Sequence, residues 1–453
     1  MSPVGELRQQ LRLATPLAAQ QVGLVMMSLV DTAVLGRYHS DALAGSGIGN
    51  GLTFAMTCIG LGVVLGLDPL IAQAVGAKEH ARTPAILRDG VSVAVRAGAL
   101  ITLALCAMPL LLGLAGVEEP VADEARVYVY ARALGTVPFL CQIAFRSFLQ
   151  AHGRTTPLIV AVVVGNVINA ILDWILVFGD AGLRDLGLPA VGLPSLGAIG
   201  AAIATTSVTV GTVIYYARAA AAITRTLPAP ATPPPRAMRD VVRIGMPIGL
   251  QLFAEVAAFA LAALLAGRLG GTPAAAHQVA LQLASVPFSI TIGIGAAAAV
   301  RVGLAIGAGD HAAARRAGLT SLILGAIVMS ASATLFVLAA APLAGIFTER
   351  HAVIAAAIPL VQIAAVFQLS DGAQAVAAGA LRGAGDTRAA FVANLFGHYL
   401  FGLPVALVLA FGFDRGAPGL WWGLSAGLTG TAAALIARFL WLTARPIARA
   451  QRP

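Results

Sequence analysis

Twelve apolar runs of spanning length fill this chain, near residues 13–36, 46–74, 91–115, 126–150, 157–178, 196–221, 241–266, 276–305, 318–346, 353–380, 388–412 and 418–444. A helix that crosses a bilayer needs about 20 predominantly apolar residues, so each run predicts one span. The runs are continuous rather than alternating, which disfavours a β-barrel. With 58% hydrophobic and 11% charged side chains over 453 residues, a water-soluble enzyme is close to excluded. The 50 glycines and 24 prolines suit a membrane bundle, where small residues permit close packing and neighbours satisfy freed backbone groups. The expected fold is an all-α integral membrane protein of twelve transmembrane helices in two six-helix lobes.

The net charge of +9 reads as topology, because the basic residues lie in short connectors rather than on one nucleic-acid-binding face. Arg8 and Arg12, then Lys78, Arg82 and Arg88, Arg154, Arg225 to Arg243, Arg315 and Arg316, Arg382 and Arg388, and Arg445 to Arg452 fall in alternate connectors. Positive residues near span ends stay on the cytoplasmic side, which predicts both termini there, in a bacterial-type inner membrane. One opposite connector holds Glu118, Glu119, Asp123 and Glu124. Cys58, Cys106 and Cys141 sit in apolar runs without metal or disulfide spacing and are expected to be buried thiols.

Prolines 228, 230, 233, 234 and 235 cannot continue a helix and mark a semi-rigid connector at mid-chain. The expected organisation is a first lobe over 1–222, a cytoplasmic linker over 223–238 and a second lobe over 239–453. On either side of the linker the sequence repeats at a constant spacing of 231 residues: Arg12/Arg243, Pro16/Pro247, Gln20/Gln251, Gly36/Gly267, Gly62/Gly293, Gly76/Gly307 and His80/His311. Six spans per repeat return the chain to the same side, so the repeats are parallel, an arrangement used by transporters that rock two lobes about a central site.

Charged groups inside the membrane cost about 2.5–3.5 kcal/mol on insertion scales and normally have a task. Five carboxylates lie within apolar runs: Asp31, Asp68, Asp173, Glu255 and Asp371. Asp68, beside Pro69 and about a turn or two from the cytoplasmic connector that contains Lys78, is expected to face water. The other four sit in polar stripes: Ser28 with Asp31; Asn166, Asn169 and Asp173; Gln251 with Glu255; and Gln368, Asp371 and Gln374. Pro16 and Pro247 lie on the spans of Asp31 and Glu255 as expected kink points. Oxygen donors of this kind suit H+ or a hard cation such as Na+, not a transition metal. The competing reading is that hydrogen-bonded carboxylates merely hold helices together. Gln278 and Gln282 on span eight are expected to line a cavity or to pack between helices, and His277 and His398 read as packing or interfacial residues rather than ligands. Trp421 and Trp422 are expected to mark the membrane interface.

Several stretches resemble the multidrug and toxic compound extrusion (MATE) family: Pro16 to Gly36 with Val30-Asp31-Thr32, Pro69 to Gln73 with Gly76, Asn169 to Asp173 before Phe178-Gly179, and Gly197 to Gly200. So do Ala275 to Val279, Arg301 to Gly303 and Leu381 to Thr387. The resemblance spans the chain and implies a two-lobed antiporter, without a cofactor, that exports amphipathic or cationic compounds in exchange for H+ or Na+. It also implies cation-coupling roles for Asp31, Glu255 and Asp371, as in NorM-type relatives, with Glu255 and Asp371 as candidate Na+ ligands. Asp173 and Asn169 look like the DinF-type branch, whose proton-linked site lies in the first lobe, so both coupling ion and lobe stay open. A single copy in the lipid bilayer, with no nucleic acid, is the expected working unit. The alternatives are a flippase for lipid-linked oligosaccharides, disfavoured because the mid-span charges read as acidic, and an intramembrane enzyme, for which no supporting motif is present.

Overall fold

The computed structural model describes residues 3–111, 119–229 and 235–450. Glu118, Pro230, Pro233, Pro234 and Arg452 lie outside them. Among the described residues eleven helices are long and apolar enough to cross a membrane, and one bent pair supplies a twelfth span. The helices are α1 (Pro3–Tyr38), α2 (Ser40–Leu65), α3 (Leu67–Gly76), α4 (Thr83–Ala107), α5 (Glu119–Ala133), α6 (Thr136–Ala151), α7 (Thr156–Phe178), α8 (Asp180–Asp185) and α9 (Gly197–Thr224). There follow α10 (Met238–Arg268), α11 (Gly271–Gly307), α12 (His311–Leu338), α13 (Ala340–Gly345), α14 (His351–Ala384), α15 (Thr387–Leu395), α16 (Leu403–Leu407) and α17 (Gly416–Thr443). Two π-helical stretches, Phe396–Gly402 and Val408–Gly412, flank α16 within span eleven.

The spans fall where the apolar runs place them, and their ends differ for local reasons. Helix α1 starts at Pro3 rather than near residue 13, because its first turns carry buried Glu6 and Gln10 and the Arg301 side chain bonds Glu6 and Gln9. Span four bends by 44° between α5 and α6. At that break a Cβ on Gly135 would lie 2.9 Å from the Thr206 hydroxyl, so glycine is what lets α9 approach. Span nine stops at Leu338, where Ala339 leaves helical geometry (φ −124°, ψ 27°), and α13 continues separately. Pro16 and Pro247 both sit inside continuous helices.

The chain forms two compact units. The N-unit comprises Gly23–Leu67 and Glu79–Gly249; the C-unit comprises the chain up to Val22, Asp68–Lys78 and everything from Leu250 onward. Helices α1 and α10 therefore each contribute to both.

Glycines set the closest approaches. In the N-unit a Cβ on Gly62 would lie 2.0 Å from the Gly249 nitrogen, and one on Gly245 would lie 2.0 Å from the Val63 carbonyl. Gly62 on α2 and Gly66 just past its end thus meet Gly249 and Gly245 on α10 as facing small-xxx-small pairs. In the C-unit a Cβ on Gly293 would lie 2.4 Å from Ala18, and one on Gly76 would lie 2.0 Å from the Leu304 carbonyl. The Gly62–Gly249 and Gly293–Ala18 contacts join positions 231 apart in both partners, so the sequence repeat returns as a repeated backbone contact.

The C-unit core centres on Trp421, which is fully buried, with Phe367 and His277 edge-on at centroid distances of 5.3 and 5.7 Å. Its Nε1 donates to His277 Nδ1 at 3.1 Å. The interfacial expectation thus suits exposed Trp422 and not Trp421. Cys58 and Cys141 are buried as expected, whereas Cys106 is exposed. Asp68 does not face water: it is 2% exposed, with Arg382 Nε 3.8 Å away. Beside that pair Gln73 Nε2 donates to the Gly383 carbonyl (3.0 Å), and the Ala450 amide donates to Gln73 Oε1 (2.8 Å).

Between α8 and α9 the chain is clasped by Asp180, whose carboxylate accepts from the amides of Val191 (3.1 Å), Gly192 (3.0 Å) and Leu193 (3.0 Å). The Leu193 and Val191 donors foremost, with Gly192 and the Arg184 charge behind them, hold the Asp180 carboxyl below its ordinary range. A depressed value means the clasp is complete above the usual aspartate range and is lost only as pH falls through the lower, folded value. Asp180→Ala is expected to raise hydrogen exchange at residues 191–193 to rates near those of an unstructured chain at neutral pH; unchanged protection would show that the loop holds itself.

Candidate ion-coupling sites

In the N-unit, helix α7 has to bury Asn169 and Asp173 because their i,i+4 spacing puts both on its packed face, where each is 0% exposed. Asn169 Nδ2 donates to Asp173 Oδ2 at 2.8 Å. From α1 comes half-buried Asp31, whose Oδ2 accepts from the Thr205 hydroxyl of α9 at 2.9 Å. The Asp31 and Asp173 carboxyl groups stand within electrostatic reach of one another. Each keeps a buried Oδ1 to which nothing donates, as does the Asn169 carbonyl oxygen. Two carboxylates this close in a medium of low dielectric repel, so the pair needs a proton or a cation between them. The Tyr128 phenol lies within electrostatic reach of both, and of Arg132. Asn166 has a different position: its Nδ2 donates to the carbonyls of Gly23 (3.0 Å) and Val162 (2.7 Å), tying α7 to α1.

In the C-unit, Glu255 on α10 accepts at Oε2 from Gln374 Nε2 of α14 (3.2 Å) and Asn394 Nδ2 of α15 (3.4 Å). Asp371, one turn before Gln374, is 4% exposed and within electrostatic reach of Glu255. Asp371 Oδ1, Gln374 Oε1, Asn394 Oδ1 and both amide atoms of fully buried Gln368 are left without partners. A gathering of buried oxygens without donors fits a hard cation or a proton. Gln251 is buried one turn from Glu255 on the same helix. Gln278 and Gln282 are exposed on α11, outside this buried group.

Asn394 and His398 are the residues that sequence spacing undervalued. The π-helical turn after α15 widens the helix and buries His398, whose Nδ1 bonds the Asn394 carbonyl at 3.1 Å while Nε2 has no partner. Tyr399 ties the same turn to α10 by donating to the Ala254 carbonyl at 2.7 Å. Their signal was a one-turn Asn-His pair inside an apolar span. Thr205 gave a weaker one, a hydroxyl among the threonines of span six. The expectation that mid-span charge is acidic also needs correction, because span four carries half-buried Arg132 and, near Tyr216, Arg146 at 8% exposure.

A polytopic helical membrane protein with a buried carboxylate group in each of two compact units is thereby defined. The chain matches the MatE family over residues 16–175 and 247–408, and it belongs to that family. It is 35% identical to the probable multidrug resistance protein NorM of Pseudomonas putida, with 99% of this chain and 97% of that protein aligned. To the multidrug resistance protein NorM of Burkholderia vietnamiensis it is 37% identical over 94% of this chain and 92% of the relative. The crystal structure of the eukaryotic MATE transporter AtDTX14 shares the fold, with a TM-score of 0.86 at 23% identity, covering 97% of this chain and 96% of the other.

Proposed function

We propose that the protein is a secondary active multidrug efflux antiporter that exports amphipathic or cationic small molecules in exchange for H+ or Na+. The observation that carries this reading is the pair of buried carboxylate groups, Asp31 with Asp173 and Glu255 with Asp371, each keeping oxygens to which nothing donates. The names of the relatives, multidrug resistance proteins, support the substrate class. Lobes over 1–222 and 239–453, joined by the 223–238 linker, alternate access to the two sides of a bacterial inner membrane. Both termini are cytoplasmic and one copy suffices.

The outward-facing state loads the ion on these carboxylates, and the inward-facing state releases it and takes up drug. Coupling needs only that ion and drug exclude one another, since each shifts the conformational equilibrium by its differential affinity for the two states. Asp31 and Asp173 exchange the proton they share, Thr205 and Asn169 orienting them. Glu255 and Asp371 neutralise an entering cation, with the Gln374, Asn394 and Gln368 oxygens completing its shell. Pro16, about two turns before the N-unit begins at Gly23, frees one backbone carbonyl of α1 and gives that helix a place to bend.

Asp31→Asn is the test of the first-lobe role. Cells expressing it are expected to accumulate a cationic dye to nearly the level of cells lacking the protein, with altered ion dependence of what efflux remains. Wild-type efflux with wild-type ion dependence would remove Asp31 from the mechanism.

A further inference from the structure

Helix α17 ends in a cluster that transport chemistry does not use. Arg438, Trp441 and Arg445 follow at i, i+3 and i+7, one face of the helix and its continuation. Both guanidinium groups lie against the same indole, 4.6 Å (Arg438) and 4.7 Å (Arg445) from the ring centroid. Trp441 is nevertheless 48% exposed. Arg438 is partly neutralised, its Nε donating to Asp386 Oδ2 at 2.7 Å. Among the described residues no carboxylate pairs with exposed Arg445.

The start of α12 lies alongside. The Ile447 amide donates to His311 Nδ1 at 3.4 Å, and a Cβ on Gly318 would meet the Phe439 ring at 2.1 Å. Toward the membrane interior, the same side of α17 presents exposed Ala437, Ala434, Ala433 and Gly430, a smooth apolar strip that ends at the indole.

Each part selects the same ligand. An indole at the end of a spanning helix sits at headgroup depth. Stacking holds a guanidinium by its face and leaves its N–H edge free, and that edge matches phosphate oxygens in a two-point fork. Two cations gathered on one ring repel, and the Asp386 carboxylate offsets only Arg438, which leaves Arg445 in want of an anion. An aqueous anion would satisfy the charges and make no use of the apolar strip, whereas a phospholipid uses both.

We infer that the Arg438–Trp441–Arg445 face of α17 binds the headgroup phosphate of an anionic phospholipid whose acyl chain lies along Gly430 to Ala437. The inference rests on the proposed orientation only for the leaflet, the cytoplasmic one. Transport is not read in its test, so failure here and failure of the antiport reading are distinguishable.

The full chain is reconstituted in vesicles with brominated phosphatidylglycerol or brominated phosphatidylcholine at equal mole fraction, bromine quenching nearby indoles. The Trp441 signal is the difference from Trp441→Phe. Phosphatidylglycerol is expected to quench it at about fivefold lower mole fraction, the factor one cation supplies at an anionic surface. Arg445→Gln, which removes no ion pair, is expected to reduce that preference toward unity, and high salt to weaken it. Equal quenching by the two lipids, or a preference that survives Arg445→Gln, would overturn the proposal. Loss of the preference on replacing chloride by inorganic phosphate at constant ionic strength would also overturn it, by making the site one for a soluble anion.

Discussion

Glu255→Gln is expected to abolish ion-driven efflux in protein that still reaches the membrane, a loss of about tenfold or more. The substitution keeps the volume of the side chain and an acceptor for the Gln374 and Asn394 amides, which now lie 3.2 and 3.4 Å from Oε2. What it removes is the charge. Hydrogen bonds and contacts to a charged group are worth about 1.5–3 kcal/mol each, so a cation that depends on this carboxylate loses at least a tenfold factor in affinity. Asp371→Asn is expected to act in the same direction, because its Oδ1 is among the oxygens to which nothing donates. Dye efflux from cells, set against the amount of each variant in the membrane, checks both. Unchanged efflux in the two variants would place coupling on Asp31 and Asp173 alone.

The other large effect falls on folding. Gly62→Ala and Gly245→Ala each put a methyl group 2.0 Å from backbone of the facing helix, at the Gly249 nitrogen and the Val63 carbonyl. Backbone cannot rotate away as a side chain can, so α2 and α10 must separate. Overpacking a close contact costs typically about 1–3 kcal/mol, and rigid partners put these two at the upper end. Gly51→Ala is the internal control: it lies on the same helix with nothing within 4 Å of its added carbon. There alanine is expected to be neutral or to stabilise α2 by up to about 1 kcal/mol through helix propensity. Thermal unfolding in detergent, comparing the three variants, reads the difference. Equal midpoints for Gly62→Ala and Gly51→Ala would show that the α2–α10 contact is not close in the folded protein.

The span count was legible because apolar run length and helix rise fix it, and the four carboxylates within spans drew notice because charge in lipid is costly enough to need a reason. What escaped depends on rotation about a helix axis. Trp421 and Trp422 are neighbours in sequence but about 100° apart on α17, so one is core and the other exposed. His398 reads as a packing or interfacial residue, since regular helical spacing does not announce a π turn. The bend at Leu134-Gly135 was hidden in an apolar string, and its cause, the approach of Thr206, is 71 residues away in the chain. Asp68 looked solvated because the nearest cation in sequence is Lys78, whereas the cation beside it in space is Arg382. The exposed faces of Gln278 and Gln282 follow from how α11 turns against α14, which no local pattern contains.

Dye efflux from vesicles under separately imposed Na+ and H+ gradients, with wild type beside Asp31→Asn, Asp173→Asn, Glu255→Gln and Asp371→Asn, tests the coupling role of the buried carboxylates most directly. Wild type is expected to export dye when at least one of the two gradients is imposed inward relative to the cell. The variants are expected to lose that drive while still binding dye. Efflux that ignores both gradients, or that keeps its gradient dependence in all four variants, would contradict it.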